Sequence, residues 1–588
     1  MYYVDYNKSL KYKLFHIKYL SIFFKVINYL LEYDFLSIIN KINIILKKLL
    51  YIRSMYLYNV LYLTNYEKNI QKNTMFLNNV NLSIIIFTDN INNCQFKKLI
   101  MSIINQTSNN WELHIVDKNY NTSERLKYNI SKNINIHYYN IINNNISDLI
   151  NNIIINTNNN YIGFLNQHCF LHPSAVFEIL NVFITENSDL IYSNEIFYCN
   201  NKIINLSYNI EFSFDSLRSF NYINNLLFFK KNLYINITNK SNYTNYNEWY
   251  YDLLLKLAEK AQIIKNISKL LCFIKEINNT GSRYLAINND ILSDHFSRLK
   301  INANIKETSI SYIKKIEYEI INKPLISILI PTMDHIEYLE KCILSILNKT
   351  TYKNYEIVLI ENNSKNEYTF NYYKSLEKYK NIKVIFSKYN HFNFSAIINF
   401  GFKYTSGEYI ILLNNDIEII TTNWIQEMLM FAQNGSIGIV GAKLYYSDNT
   451  IQHAGIYFNK EYMPVHNHRY FHKNKTGNYY ELVIPRYVSA VTGACLMISS
   501  SAFKEVNGLD EQFEIGFNDI DLCMKIKERG YSIIWTPYAE AYHYESKSLG
   551  YSDIKKNNKY NKYIYESNIF LKKWKSRIIN EKMWINNI

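Results

Sequence analysis

Short apolar runs alternate along this chain with stretches whose apolar residues recur at helical spacing. In "SILIPTMDHIEYLEKCILSIL", Ser327 to Leu347, an apolar strand pattern ends at Thr332 and a helical pattern follows. Strand patterns separated by helical patterns are typical of a mostly parallel sheet covered on both faces by helices. The pattern therefore predicts an α/β fold, with Asp334 as the expected N-cap of the helix.

The pattern occurs twice. "SIIIFT", "WELHIVD" and "YIGFLNQH" begin at Ser83, Trp111 and Tyr161, and they return in the same order and at nearly the same spacing as "SILIPT", "YEIVLIE" and "YIILLNND". Such self-similarity indicates a duplicated domain. The predicted organisation is an N-terminal basic amphipathic helical region (1–76), a first domain (77–300), a linker (301–323), a second domain (324–560) and a C-terminal helical tail (561–588).

Polar residues follow several predicted strands of the second domain. Thr332 and Glu361 end two strands, and a third runs into "NND", Asn414, Asn415 and Asp416. The carboxyl ends of strands in open α/β sheets are where ligands bind, although Asn and Asp are also common in plain surface turns. No Gly-rich phosphate loop is present, so a bound diphosphate would need a cation. Asp416 with amide oxygens suits Mg²⁺ or Mn²⁺.

A second acidic cluster lies in "FNDIDLCMKIKERGY", where Asp519 and Asp521 open a helical pattern. Acidic residues are favoured at a helix start, which explains one of the two, and the other is a candidate general base. Downstream, His543 stands in a short polar and aromatic segment. A lone histidine is more often structural than a ligand, so a metal role for His543 depends on its neighbours.

Composition and charge restrict the classes of partner that the chain could bind. The net charge is +14, but Lys, Asn, Ile and Tyr are abundant throughout, and no zinc-finger, RRM or basic-zipper pattern indicates nucleic acid. The segment Met1–Arg53 is basic and apolar, without a signal-peptide core or a membrane span. It is interpreted either as helices packed on the next domain or as a peripheral contact with anionic lipid. Seven cysteines without a C-x-x-C pair favour reduced thiols in a cytoplasmic protein.

Several stretches together resemble glycosyltransferase family 2 of the GT-A fold, and more narrowly its tandem-domain bacterial rhamnosyltransferase-like or O-antigen-type members. They cover Pro324 to Gly550 in the family's order and include the following sequences: "PLISILIPTMD", "YEIVLIENNS", "HFNFSAIINFG", "GEYIILLNNDIEI", "SAVTGACLMISSSAF", "FNDIDLCMKIKERGY" and "WTPYAEAYHYESKSLG". The resemblance implies two GT-A-like domains and transfer of a sugar, with inversion, from a nucleotide-sugar to a cell-envelope glycan or lipid-linked acceptor.

The resemblance also implies residue roles. Asp519 would be the catalytic base. Asp416 and His543 would hold Mg²⁺ or Mn²⁺, and the "NND" would replace the family's D-x-D. Glu361 departs from the family's usual Asp. The remaining implied contacts are with the donor or the acceptor: donor, Thr332, Glu361, Asn399, Asn414 and Asn415; acceptor, Gly493 and Ala494.

The first domain has lost the acidic motif, since "NQHC" from Asn166 to Cys169 stands where acids are usual. Tyr250 occupies the position of the base, while Asp117 and Asp252 are retained. A hard cation would be held poorly without a carboxylate. We therefore expect this domain to be inactive and to bind acceptor or brace the second domain. The competing hypothesis for the whole chain is a non-catalytic glycan-binding or scaffolding protein.

Overall fold

A computed structural model of the 588-residue chain describes residues 63–74, 76, 81–118, 135–141, 146–199, 202–207, 211–237, 243, 245–275, 287–389, 391–477, 480–544 and 558–580. The basic segment Met1–Arg53 lies outside these ranges, so its two interpretations stay predictions. The described part begins with helix α1, Asn65–Asn73, which Thr64 and Glu67 cap reciprocally. Within the described ranges, no helix is both long enough and apolar enough to cross a membrane.

The first copy alternates strands and helices as the pattern predicts. Its elements are β1 Leu82–Thr88, α2 Asn93–Ile104, β2 Trp111–Asp117, β3 Ile136–Asn140, α3 Ile146–Asn156, β4 Tyr161–Leu165, β5 Cys169–Leu171, α4 Ala175–Thr185, β6 Leu190–Cys199, β7 Lys202–Ser207, α5 Phe214–Ser219, β8 Leu226–Lys230, α6 Lys231–Ile235, α7 Tyr246–Lys260, β9 Ile264–Lys275 and α8 Asn289–Leu299.

A two-stranded hairpin follows, and then the second copy. The hairpin is β10 Ala303–Glu307 with β11 Lys314–Tyr318, and it occupies the stretch predicted to be a linker. The second copy consists of β12 Ile326–Thr332, α9 Ile336–Lys349, β13 Tyr355–Glu361, α10 Glu367–Leu376, β14 Ile382–Phe386, α11 Phe394–Phe402, β15 Tyr409–Leu413, β16 Ile417–Ile419, α12 Trp424–Ala432, β17 Ile437–Tyr445, β18 Ile451–His453, β19 Ile456–Phe458, β20 Pro464–His466, β21 Arg486–Tyr487, β22 Cys495–Ser499, α13 Ser500–Glu505, α14 Asn518–Glu528 and β23 Ser532–His543, and helix α15 Asn558–Asn580 follows.

The two sheets have the same strand order. The first runs β3-β2-β1-β4-β8-β6-β9-β5 and the second runs β14-β13-β12-β15-β22-β17-β23-β16. Strands that occupy the same place in the two sheets also correspond to each other along the sequence. The structure therefore contains the duplication that the sequence predicts. The first four strands of each order are parallel, but β8 and β22 run antiparallel to their neighbours. Both sheets are therefore mixed, with parallel and antiparallel strand pairs, whereas the sequence pattern predicted mostly parallel sheets.

Apolar side chains cover both faces of the second sheet, which explains its nearly continuous apolar strands. In β12, Leu329 joins one buried cluster, whereas Ile328 and Ile330 join the cluster on the opposite face. Burying each such side chain contributes about 1.5–3 kcal/mol before the entropy of ordering is subtracted. Several polar side chains collect where these strands end, and that is where the candidate site lies.

Two local expectations differ from the structure. Asp334 does not cap α9, whose N-cap is His335 without a side-chain bond. The Asp334 carboxylate instead accepts the N–H groups of Lys365 and Asn366, just before α10. The expectation of reduced thiols is wrong for one pair, since Cys169 of β5 and Cys272 of β9 form a disulfide.

The two copies contact each other through buried polar groups. The Tyr318 hydroxyl of the hairpin donates to Asp215 Oδ1 at 2.5 Å and accepts from Arg218 at 3.0 Å. Ser216 Oγ donates to the Pro485 carbonyl of the second copy at 2.8 Å. Ile484 also belongs to the apolar cluster of the first copy. The first copy therefore packs directly on the second.

Candidate active site

The turn between β15 and β16 is the centre of the candidate site. β15 lies inside the sheet beside β12 and β22, whereas β16 pairs with β23 at the far end of the strand order. Asn414, Asn415 and Asp416 make this crossing, and their backbone is held by the Ala494 carbonyl and by the Tyr544 N–H. The apolar strand ends on two amides and an acid because the chain leaves the sheet interior here.

Asp416 and His543 meet at this turn. Asp416 Oδ1 lies 3.2 Å from His543 Nε2, and both side chains are about one-tenth exposed or less. Their strands bring them together, because Ile417 pairs with His543 in the antiparallel register of β16 and β23. Asn414 Nδ2 lies 3.3 Å from the same imidazole nitrogen. Asn414 and Asp416, two of the three residues of "NND", therefore both lie next to the Nε2 atom of His543.

The other imidazole nitrogen also has a hydrogen-bond partner. His543 Nδ1 lies 2.7 Å from Gln452 Oε1, on β18. An amide oxygen can only accept, so a proton on Nδ1 satisfies this contact. Asp416 Oδ1 is buried and has no hydrogen bond, although His543 Nε2 lies 3.2 Å away. Carboxylate and imidazole are ligands of divalent metals, so a cation held by Asp416 and His543 fits this pair; a proton on Nε2 would instead make it an ion pair.

Two protein ligands do not complete a metal site. Within the described ranges, no group of three or more His, Cys, Asp or Glu side chains is placed to hold a metal ion. Mg²⁺ and Mn²⁺ sites of transferases commonly use one or two carboxylates and take further oxygens from substrate phosphates and water. The donor set of Asp416 and His543 is therefore sufficient only when a phosphorylated ligand supplies the remainder.

Thr332 and Glu361 lie side by side where β12 and β13 end. Both are buried, and Asn415 Nδ2 lies 3.5 Å from Thr332 Oγ1. The Glu361 carboxylate accepts from Ser364 Oγ at 2.7 Å and from the Tyr373 hydroxyl at 2.5 Å. Those contacts fix the loop after β13. The side chain of Glu361, which is longer than that of the family's usual Asp, thus binds other residues of the protein. This loop borders the "NND" turn.

The candidate base approaches the turn from the opposite side. Asp519 lies in the first turn of α14, and its Oδ2 accepts the Gly493 N–H at 2.8 Å. The next residue of that loop, Ala494, accepts the Asn414 N–H at 3.0 Å through its carbonyl. The loop Gly493–Ala494 therefore links the "NND" turn to Asp519. A Cβ on Gly493 would lie 3.3 Å from the Asp519 Cβ, which leaves little room for a larger residue.

The surroundings of Asp519 favour its protonated form. Burial raises the pKa of its carboxyl above the ordinary value of 3.8, although the N–H groups of Gly493 and Ile520 and the Thr492 side chain act in the lowering direction. The residue is partly exposed, and its Oδ2 and Oδ1 accept the N–H groups of Gly493 and Ile520. A carboxylate with a raised pKa is suited to accept a proton.

Asp521 has a different environment, although it is only two residues away. It is fully buried, and its Oδ1 accepts from Trp574 Nε1 and Lys573 Nζ, each at 2.8 Å. Both partners lie on α15. The structure therefore separates the two acids of "NDID": Asp519 faces the site, and Asp521 anchors the C-terminal helix.

Asn399 is not placed with the other predicted donor residues. It lies on α11, and its amide donates to the Leu509 carbonyl at 2.9 Å and accepts the Leu509 N–H at 2.9 Å. The same amide nitrogen also lies 3.1 Å from Glu511 Oε1. These contacts satisfy most of the amide's capacity and hold the loop before α14. The role of Asn399 in donor binding stays a prediction.

The corresponding region of the first copy is occupied by its own side chains. Gln167 Oε1 accepts the Asp89 N–H at 2.9 Å, and Gln167 Nε2 donates to the Asp89 carbonyl at 3.1 Å. His168 stands in the place of Asp416, and burial lowers the pKa of its imidazole. Thr88 and Asp117 repeat the pairing of Thr332 with Glu361, with 3.1 Å between their side chains.

The base position of the first copy also lacks a suitable group. The Tyr250 hydroxyl donates to the Ile223 carbonyl at 2.8 Å, and burial raises the pKa of this phenol well above its ordinary value. Asp252 is buried and paired with Lys256 Nζ at 2.7 Å. The Tyr250 hydroxyl and the Asp252 carboxylate thus both already have partners within the first copy. The inactivity of this copy stays a prediction.

Both copies of the chain match a known protein family. The sequence profile described as glycosyl transferase family 2 matches residues 83–245 and again residues 327–506. The chain belongs to glycosyl transferase family 2. A second profile, glycosyl transferase family group 2, matches residues 447–584, which include α14 and α15. The predicted family is therefore confirmed, and the two equivalent sheets confirm the predicted tandem α/β organisation.

Curated relatives of this chain occur in bacteria. An uncharacterized protein of Sinorhizobium fredii is 39% identical over 231 residues, covering 39% of this chain and 25% of the relative. The O-antigen biosynthesis protein RfbC of Myxococcus xanthus is 26% identical over 409 residues, covering 66% of this chain and 31% of the relative. The chain thus spans about a quarter to a third of the length of these two relatives.

A shorter similarity links the chain to the N-acetylglucosaminyl-diphospho-decaprenol L-rhamnosyltransferase of Mycobacterium tuberculosis. It is 34% identical over 65 residues, covering 11% of this chain and 21% of the relative.

Among solved structures, the chain is similar to GalNAc-T7 with UDP, GalNAc and Mn²⁺, with a TM-score of 0.33, 17% identity and coverage of 41% of this chain and 46% of that one. It is also similar to the mannosyltransferase PcManGT from Pyrobaculum calidifontis with GDP-Man and Mn²⁺. That comparison gives a TM-score of 0.30, 13% identity and coverage of 39% of this chain and 59% of that one.

Sequence reasoning missed two residues that shape the site. Gln452 Oε1 contacts His543 Nδ1, and the Tyr373 hydroxyl donates to Glu361. "IQHAG", which contains Gln452, lies inside the stretch that resembles the family, but its single amide has no spacing relation to His543. Only the pairing of β17 with β18 and β23 brings Gln452 to His543.

Proposed function

We propose that the second copy is an inverting glycosyltransferase that uses a nucleotide-sugar donor and a divalent cation, Mg²⁺ or Mn²⁺. The observation that carries this proposal is the pair of Asp416 Oδ1 and His543 Nε2, 3.2 Å apart, in a turn that the Gly493–Ala494 loop connects by hydrogen bonds to Asp519. That arrangement would provide a cation position and a base on the two sides of one loop. Membership of the family supplies the reaction class.

The donor would lie along the carboxyl ends of β12, β13 and β15. Thr332 and the loop that Glu361 fixes would contact the nucleoside, and Asn414 and Asn415 would bind near the diphosphate. Asp416 and His543 would hold the cation, which supplies charge neutralisation for the departing nucleoside diphosphate. The amides of the "NND" turn keep the site polar without adding negative charge next to the phosphates.

Asp519 would perform the proton transfer. Its free carboxylate lone pair accepts the proton of an acceptor hydroxyl while that oxygen attacks the anomeric carbon of the donor sugar. The bond from the anomeric carbon to the diphosphate oxygen breaks, so the product sugar has the inverted configuration. Gly493 and Ala494 would border the acceptor, and holding both substrates together lowers the entropic part of the barrier.

The acceptor class is part of the proposal. One relative is named for O-antigen biosynthesis, and another is named for rhamnosyl transfer to a diphospho-decaprenol carrier. We propose that this chain likewise extends a cell-envelope polysaccharide or a lipid-linked glycan on the cytoplasmic side of the membrane. The net charge of +14 suits a peripheral position on an anionic membrane surface.

The direct test measures nucleotide release from a panel of nucleotide-sugars, with and without Mn²⁺ and with and without lipid-linked or oligosaccharide acceptors. We expect one donor to be consumed with Mn²⁺ and faster with an acceptor. The alternative function, a non-catalytic glycan-binding or scaffolding protein, predicts that glycans raise the melting temperature while no donor of the panel is turned over.

The duplicated site gives a prediction about the first copy. We expect His168→Ala to leave turnover within about twofold of the wild type, because Gln167 and Tyr250 already occupy the region where donor and base would lie. Steady-state transfer rates of the variant and the wild type check this. A loss comparable with that of Asp416→Ala would show that the first copy takes part in the chemistry.

A further inference from the structure

Helix α15 contacts the segment that carries the candidate base at three successive places. Glu566 is fully buried and accepts the N–H groups of Glu514 at 2.9 Å, Ile515 at 3.2 Å and Gly516 at 2.8 Å. Three backbone donors on one buried carboxylate form a strong charge-assisted set. These three amides belong to the loop that leads directly into α14 and Asp519.

The second contact is at Phe517. This residue precedes α14 with φ +62, a left-handed conformation that is costly for a bulky side chain. Its buried ring packs on α15, stacked on Phe570 with centroids 5.3 Å apart and tilted against Tyr563 at 5.1 Å. Packing against α15 therefore maintains a backbone conformation that would otherwise relax. That conformation sets the direction in which α14 begins.

The third contact is at Asp521, which binds Trp574 and Lys573 as described above. Residues 514–517 and 521 are thus all held by α15, whereas Asp519, between them, turns its carboxylate to Gly493 on the opposite side. Helix α15 begins fifteen residues after His543, at Asn558. The chain therefore goes from the metal-side strand to the helix that supports the base.

We propose that α15 positions the catalytic base and that Glu566 is the positioning residue through which it acts. The proposal rests on the proposed function, because it assumes that Asp519 takes the acceptor proton. Glu566 itself lies behind the loop and does not touch substrate. Its carboxylate fixes the peptide units of residues 514–516, and these fix the start of α14 and hence the Asp519 side chain.

Glu566→Gln tests this with little change of volume. A glutamine presents N–H donors to backbone N–H donors, so at least one of the three hydrogen bonds is lost. We expect kcat to fall about 10- to 100-fold, since a displacement of about 1 Å at a reacting group can cost that much. The donor Kd is expected to stay within about twofold, because Asp416, His543 and Thr332 lie on other elements.

Glu528→Gln is the matched control. Glu528 ends α14, is exposed, and forms a surface ion pair with Arg577 of α15 at 3.6 Å. It links the same two helices but does not touch the loop before Asp519. We expect its kcat and donor Kd to equal those of the wild type. Hydrogen exchange at residues 514–516 provides a readout independent of activity, and it is expected to accelerate only in Glu566→Gln.

The outcomes separate the two proposals. An inactive wild-type protein counts against the proposed function. An active wild type with normal kcat in Glu566→Gln overturns the positioning role. A parallel loss of kcat, donor affinity and melting temperature also overturns it, since general destabilisation then explains the effect. If Glu566→Gln does not fold, Glu566→Asp, which withdraws the carboxylate by one methylene, is measured instead. Failure of both to fold would assign Glu566 a structural role only.

Discussion

Asp519→Asn is expected to lower transfer turnover by about 10²- to 10⁴-fold, the usual cost of losing a positioned base. An amide keeps the size of the carboxylate and can still accept the Gly493 N–H, but it cannot take the acceptor proton. Donor affinity should be unchanged. The measurement is kcat at saturating donor, with the donor Kd determined separately by a binding titration.

The pH profile of the wild type provides a second measurement of the same role. A base works only when deprotonated, so turnover falls as the pH drops through its pKa. Because burial raises the pKa of Asp519, the acidic limb of kcat/KM should lie above the ordinary aspartate value of 3.8. In Asp519→Asn this limb should disappear from the residual activity.

Asp521→Asn is the control at the neighbouring acid. It removes the charge that binds Lys573, and a hydrogen bond to a charged group is worth about 1.5–3 kcal/mol. We therefore expect a lower melting temperature, with kcat reduced much less than in Asp519→Asn. A folded but inactive Asp521→Asn beside a fully active Asp519→Asn would mean that the two roles are exchanged.

Removal of the divalent metal is expected to have the second large effect on transfer activity. EDTA is expected to abolish transfer and Mn²⁺ to restore it, and Asp416→Ala is expected to lower turnover by about 10²-fold or more, because neutralising the leaving diphosphate is worth several kcal/mol. Asp416→Ala should also weaken binding of the nucleoside diphosphate in the presence of Mn²⁺. Without Mn²⁺, the two proteins should bind it about equally.

His168→Ala is the matched control for Asp416→Ala, since the two residues hold the same position in the two copies. Full activity in EDTA would contradict the metal assignment. In that case the proximity of Asp416 and His543 would be an ion pair with a protonated imidazole, and the Asp416→Ala loss, if any, would not depend on Mn²⁺.

Most of the architecture could be predicted from the sequence. The strand and helix patterns return in one order, and the shared strand order of the two sheets follows from that repetition. The polar ends of β12, β13 and β15 also predicted where a site would form, because parallel strands align their carboxyl ends. Asp519 and Asp521 could be assigned opposite directions because they lie two residues apart on a helix.

The sequence was less informative wherever a side chain meets a partner far along the chain. Asp334 looked like the cap of the following helix but binds the start of α10. A short-range rule identified a residue capable of hydrogen bonding, but its partner is set by the packing of elements. The donor role of Asn399, which the resemblance implies, stays a prediction, and its amide hydrogen-bonds to Leu509.

The amino-acid sequence alone thus determined the family, the duplication, the strand ends and the candidate acids, since these depend on local periodicity and on order along the chain. The contact between His543 and Gln452 and the packing of α15 on the segment before Asp519 became visible only in the folded chain. Gln452 is 91 residues from His543, and Glu566 is 50 residues from Gly516. Hydrogen bonds over such separations leave no periodic signal, because they depend on sheet register and helix packing that form only when the whole domain folds.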